Sequence, residues 1–122
     1  MRIIEIAFTG YPVRDLKRAC RFYSETLGLN ESRRWGDDQK GWVEYDVGAA
    51  TLAITNMADE WNPSADGGGV GLEVDDFDAA VTRLKECGVK FQMEPMETPV
   101  CHMALIFDPD GNSITIHKRK AG

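Results

Sequence analysis

Val13-Arg14-Asp15-Leu16 and, 61 residues later, Val74-Asp75-Asp76-Phe77 each open a stretch with helical periodicity. In the first, the apolar positions are Leu16, Ala19, Cys20, Tyr23 and Leu27; in the second, Phe77, Ala80, Val81, Leu84 and Cys87. Both sets follow the i, i+3, i+4, i+7 spacing that lays an apolar stripe along one helix face. Asp15 and Asp76 stand where a side-chain oxygen would cap the first free amides. Gly28 and Gly88 stand where a left-handed residue would end each helix. Cys20 and Cys87 fall on the stripes and read as small core residues rather than reactive thiols.

Outward from each helix the period changes to two, the signature of strands. In the first half, Ile3–Thr9, Glu31–Trp35, Trp42–Val47 and Thr51–Thr55 read as strands; in the second, Val70–Val74, Lys90–Met93, His102–Phe107 and Ser113–His117. Each half is then β-α-β-β-β, an α+β arrangement. Module 1 covers residues 1–57, a linker 58–68 and module 2 69–122. The linker reading rests on the stretch Asp59–Gly69, with one proline and three consecutive glycines. Asp108-Pro109-Asp110-Gly111-Asn112 reads as the turn between the last two strands. Along Thr51–Thr55, Gly69–Val74 and Ser113–His117 an apolar set alternates with a small or polar one. The apolar set suits the helix side and the other the lining of a concavity.

The chain has 122 residues, 43% hydrophobic and 28% charged, enough for one globular domain with a core. No apolar run approaches the roughly 20 residues of a membrane span. Met1-Arg2-Ile3-Ile4-Glu5 carries an acid and reads as strand, not as a signal peptide. A net charge of −6 argues against nucleic acid or an anionic membrane as partner. Three widely spaced cysteines, with no CxxC, fit a reducing cytoplasmic setting and no structural zinc.

The order and spacing of Val13-Arg14-Asp15-Leu16, Arg21-Phe22-Tyr23, Leu27-Gly28-Leu29 and Asp108-Pro109-Asp110-Gly111-Asn112, set in paired β-α-β-β-β halves, resemble the vicinal oxygen chelate superfamily. That superfamily includes glyoxalase I, extradiol dioxygenases, and bleomycin and fosfomycin resistance proteins. The resemblance covers essentially the whole chain. It implies two βαβββ modules forming an eight-stranded, incompletely closed barrel around a cup, and a homodimer. Enzymes of the superfamily hold a divalent metal with His and Glu from the first and fourth strand of each module. Those positions carry over to Phe8, Ala53, Gly69 and Thr115. Phe, Ala and Gly offer no side-chain donor, and a neutral hydroxyl is a poor ligand. Neighbouring residues do not restore the set. The resemblance therefore implies a metal-free, cofactor-free binder of a small organic molecule, like the drug-sequestering members. Two other readings stay open: a metal-dependent lyase or dioxygenase with non-standard ligands, and a metal-independent enzyme with His117 as acid/base.

Several residues could line such a cup. Phe8 would make an apolar floor, and Leu105, Ala53 and Thr115 share the expected parity. His117 has the parity of Thr115 and could act as general base or ligand donor; a plain strand-end histidine beside Lys118-Arg119-Lys120 is the other reading. Glu73, beside Gly69 and Gly71, could pair with a cation or with His117, or be a rim carboxylate. Trp42 and Glu44 share a face whose direction the pattern leaves open; if it is the cup they are ligand contacts, and otherwise Trp42 is a core aromatic. Trp61, among the acids of the linker, either lids the cup by stacking or packs at a subunit interface. His102 reads as a packing or surface residue, Arg33-Arg34 as a solvated pair or, for one of them, a cup-rim partner for an anionic ligand, and Glu94–Pro99 as a loop by the cup mouth.

Overall fold

A computed structural model describes all residues except Ile3 and Gly122. The chain divides into two compact units, Met1–Pro63 and Ser64–Gly122. No helix among the described residues is long and apolar enough to cross a membrane.

The first unit runs β1 (Thr9–Pro12), α1 (Leu16–Arg21), β2 (Asn30–Gly36), β3 (Gly41–Val47) and β4 (Ala50–Thr55). The second runs β5 (Val70–Glu73), α2 (Phe77–Glu86), β6 (Phe91–Glu97), β7 (Cys101–Phe107) and β8 (Ser113–Arg119). Each is a β-α-β-β-β module with one four-stranded mixed sheet, ordered β1-β4-β3-β2 and β5-β8-β7-β6. In each, the first strand lies parallel to the fourth, which the intervening helix permits. Thr9 lies opposite Leu52 in one sheet, and Val70 opposite Ile114 in the other. The α+β class and the paired modules are thus as expected.

Local chemistry sets the helices. The Asp15 carboxylate accepts the Arg18 amide at 3.0 Å, and Asp76 accepts that of Ala79 at 3.0 Å. Gly28 and Gly88 take φ of 72° and 75°, the left-handed turn that ends a helix cheaply only at glycine. Beyond Arg21, Phe22–Thr26 continue α1 as a wider π-type turn, the Leu27 amide reaching back five residues to Phe22 at 2.9 Å. This lets Phe22 and Tyr23 both enter the core.

The core of unit 1 is Leu16, Ala19 and Tyr23 against Val43, Tyr45, Leu52 and Ile54, all nearly inaccessible. Tyr23 and Tyr45 stack at 6.0 Å. Ser24 donates to the Tyr45 hydroxyl at 3.2 Å, and burial pushes that phenol's pKa up. In unit 2, Phe77 and Leu84 pack with Ala104, Ile106, Ile114 and Ile116. His102 joins this side, its ring 5.6 Å from Phe77, the packing role expected of it.

Four expectations need correction. The first strand is Thr9–Pro12, not Ile3–Thr9: residues 4–8 form no strand, and Ile3 lies outside the described residues. Pairing to Leu52–Thr55 decides this, and Pro12, which lacks an amide, is tolerated because β1 is an edge strand. The stretch Glu94–Glu97 is not loop but the second half of β6; this too is an edge strand, and register shifts around Met93 and Met96 accommodate Pro95. Cys87 is exposed, because it caps α2 instead of lying within its stripe, while Cys20 is half-buried. Arg34 is not merely solvated; its guanidinium grips Glu31 at 2.7 Å and 3.1 Å.

Candidate functional site

Strand register resolves which residues share a face, because directly opposed residues point the same way. In the first sheet Gly10 lies opposite Ala53, Ala53 opposite Glu44, and Glu44 opposite Arg33. One step along, Trp42 lies opposite both Thr55 and Trp35. The direction of Trp42 and Glu44, open in the sequence, is therefore that of Ala53 and away from the helix. The Trp42 indole donates to the Glu44 carboxylate at 2.9 Å. Phe8, two residues before Gly10, meets Trp42 edge-to-face with centroids 5.1 Å apart. Trp61 comes to the same place. A Cβ added to Gly10 would lie 2.9 Å from the Trp61 ring and 3.4 Å from Phe8, so glycine is what lets the aromatics close on this strand.

Phe8, Trp35 and Trp61 nevertheless stay 43%, 49% and 42% exposed. Trp61 also lines a recess of about 340 Å³ with Arg14, Lys40 and Asn56. The Arg33 guanidinium stands over the Trp35 ring at 6.0 Å. Ala53, by contrast, is buried, as is Thr55, whose hydroxyl donates to the Gly41 carbonyl at 2.9 Å. These two do not form the open lining that their small size suggested; neighbouring groups cover them.

The second sheet carries the other candidates. Gly71 lies opposite Thr115, and Thr115 opposite Leu105. Glu73 lies opposite His117, and His117 opposite Met103. The Glu73 carboxylate takes the His117 Nδ1 at 2.6 Å and the Arg119 amide at 2.7 Å. These partners, the amide first and the imidazole second, hold its pKa below the usual carboxylate value. The pairing anticipated for Glu73 and His117 is present; it fixes the imidazole and leaves Nε2 on the side chain's far edge.

Trp35 and Gly10 escaped the sequence reading of the first face, and Arg33 entered it only as one of two arginines with a rim alternative. The period of two through Phe8 and Gly10 carried the signal for Gly10. For Arg33 and Trp35 nothing did, since the bulge between Glu31 and Arg33 resets their parity.

The residues that the resemblance puts at metal-ligand positions bring few donor atoms. Phe8 and Ala53 stand on the first face as an aromatic ring and a methyl group, Gly69 has no side chain, and Thr115 offers a neutral hydroxyl. No group of three or more His, Cys, Asp or Glu is gathered as a ligand set among the described residues.

The model of the glyoxalase/bleomycin resistance protein/dioxygenase superfamily matches residues 5–116. A probable lactoylglutathione lyase of Vibrio parahaemolyticus is 26% identical, the match covering 94% of this chain and 91% of that one. TnmS3, an antibiotic binding protein from Streptomyces sp. CB03234, superposes with a TM-score of 0.82 at 30% identity, over 98% of this chain and 99% of that one. A glyoxalase/bleomycin resistance protein from the same organism gives 0.75 at 31% identity, over 92% and 98%.

Proposed function

Because the chain belongs to the glyoxalase/bleomycin resistance protein/dioxygenase superfamily, we propose that it binds and sequesters a small aromatic or amphipathic organic molecule, without a divalent metal at the superfamily's positions. The observation that carries this reading is the aromatic group around Gly10. Phe8, Trp42 and Trp61 gather on the face away from the helix, to which the resemblance assigns the metal donors of related enzymes, and two of the three keep ring surface free. Such surface recognises flat molecules by stacking, at low conformational cost. Arg33 and Glu44 add a charge of each sign beside it. The similarity to TnmS3, an antibiotic binding protein, supports the binding of a small molecule.

The reading includes a cytoplasmic homodimer. Three free cysteines suit a reducing compartment. Ile4 and Ile6, 85% and 84% exposed, supply apolar surface of the kind that a second copy covers.

Tryptophan fluorescence titrated with a panel of aromatic and cationic antibiotics tests the proposal. At least one compound quenches saturably at one per chain, and Trp61→Ala weakens it by about tenfold, near the upper worth of an aromatic contact. No saturable quenching across the panel sinks it.

One observation favours a second reading, a metal-independent enzyme. The Glu73–His117 pair orients an imidazole as a general base requires. Turnover of 2-oxoaldehyde–thiol adducts that persists in excess chelator and vanishes in His117→Ala supports it; absence of turnover leaves the binding reading alone.

A further inference from the structure

One row of the second sheet crosses all four strands. Register sets Met96 of β6 opposite Met103 of β7, Met103 opposite His117 of β8, and His117 opposite Glu73 of β5. All four side chains leave the same face, and across the two antiparallel pairs, Met96–Met103 and Met103–His117, the Cβ atoms lie about 4.5–5.5 Å apart. Met93, opposite Leu105, lies on that face as well. Three of the chain's five methionines are thus gathered on one side of one sheet. A purely apolar purpose does not account for the row's other end, where an imidazole is held by a carboxylate at 2.6 Å.

We infer that Met96, Met103 and the Nε2 of His117 form a site for a soft monovalent metal ion, Cu(I), for which Ag(I) is the redox-inert probe. Thioethers and imidazole are the donors that such ions select over hard cations. Glu73 takes the second-sphere part, fixing the ring through Nδ1 and supplying a negative charge against the cation. Met96 is 43% exposed, and Met103 and His117 are part-exposed, so an ion can reach the row from solvent. The residues are distinct from Phe8, Ala53, Gly69 and Thr115, and the inference does not depend on what the aromatic face binds.

The test must separate this row from the three free thiols, which also take Ag(I). Methionine methyl groups labelled with carbon-13 report each site by itself. One equivalent of Ag(I), added to the full-length protein, shifts the Met96 and Met103 signals to saturation and leaves Met1 and Met57 in place. Zn(II) moves none of them. In Met103→Leu, a swap of similar volume that the fold tolerates, the Met96 shift is lost or needs more than about tenfold more Ag(I). Uptake of Ag(I) with the Met96 and Met103 signals unmoved overturns the inference. So does an unchanged Met96 shift in Met103→Leu, or an equal response to Zn(II).

Discussion

The two modules share a strand order and a register, yet furnish their helix-free faces with opposite chemistry. Gly10 opposite Ala53 in one corresponds to Gly71 opposite Thr115 in the other. Around the first stand Phe8, Trp42 and Trp61; around the second stand thioethers, Glu73 and His117. The backbone repeat therefore carries the fold, while side chains alone decide what each face can recognise. The helices differ too. α1 and its π-type turn bury Leu16, Ala19, Phe22 and Tyr23, whereas α2 buries Phe77 and Leu84.

That contrast predicts unequal cores. Tyr23→Ala removes a fully buried ring stacked on Tyr45 and costs about 3–5 kcal/mol, the range for large aromatics. Leu84→Ala, at a less enclosed helix, falls near the low end of about 2–5 kcal/mol. Urea denaturation of both variants measures the gap. A Leu84 variant as damaging as the Tyr23 one would mean that the modules are equally anchored.

The turns joining the third and fourth strands differ in the same sense. In module 2 the buried Asp108 carboxylate accepts the amides of Asp110 and Asn112 and the Asn112 side chain, at 2.8–2.9 Å. The Asn112 side chain in turn accepts the Ser64 amide at 3.1 Å. Asn112→Ala strips partners from buried polar groups and costs about 2–3 kcal/mol. The module 1 turn needs only Gly48 at φ 58°, and Gly48→Ala, which meets no atom within 4 Å, costs about 1–2 kcal/mol of backbone strain. Equal melting points for the two variants would dissolve the distinction.

How far the sequence reveals this molecule depends on the range of the forces involved. Helix starts are legible because Asp15 and Asp76 act on amides three residues away. The β-α-β-β-β order is legible because period and turn chemistry are local. The start of β1 is not, since Gly10 and Pro12 are poor strand formers whose place is set by a partner some forty residues on. The burial of Ala53 was equally hidden: smallness predicts open space as well as it predicts a close-packed neighbour. Glu73, Thr115 and His117 were read by parity, and the register sets Thr115 opposite Gly71 and His117 opposite Glu73; the direction of Trp42 and Glu44 comes only from their pairing with Thr55 and Ala53. Their grouping into an aromatic face and a thioether–imidazole face required the cross-strand pairs.

The smallest effect lies at the outer edges of the two sheets. On β2, Arg34 meets Glu31 through two hydrogen bonds and reaches Asp38 at 3.3 Å. On β6, single lysine contacts serve instead, Lys85 to Glu94 at 2.7 Å and Lys120 to Glu97. The hydrogen bonds from Arg34 lead the forces that lower the Glu31 pKa, with desolvation opposing them. A lowered carboxylate pKa means that the folded chain binds fewer protons than the unfolded one. Its stabilisation is therefore complete above the ordinary value of 4.5 and fades as pH falls below it, toward the folded-state pKa. Glu31→Gln removes that dependence, so the variant is less stable than the parent at pH 7 and converges with it in acid. The pair lies at a sheet edge where solvent and salt still reach it, with the two side chains 29% and 37% exposed, and the pH 7 difference is under about 1 kcal/mol. Thermal melts of the two proteins from pH 7 to pH 3 check it. A gap that stays constant through pH 4 would show that Glu31 acts by packing on the strand edge rather than by charge.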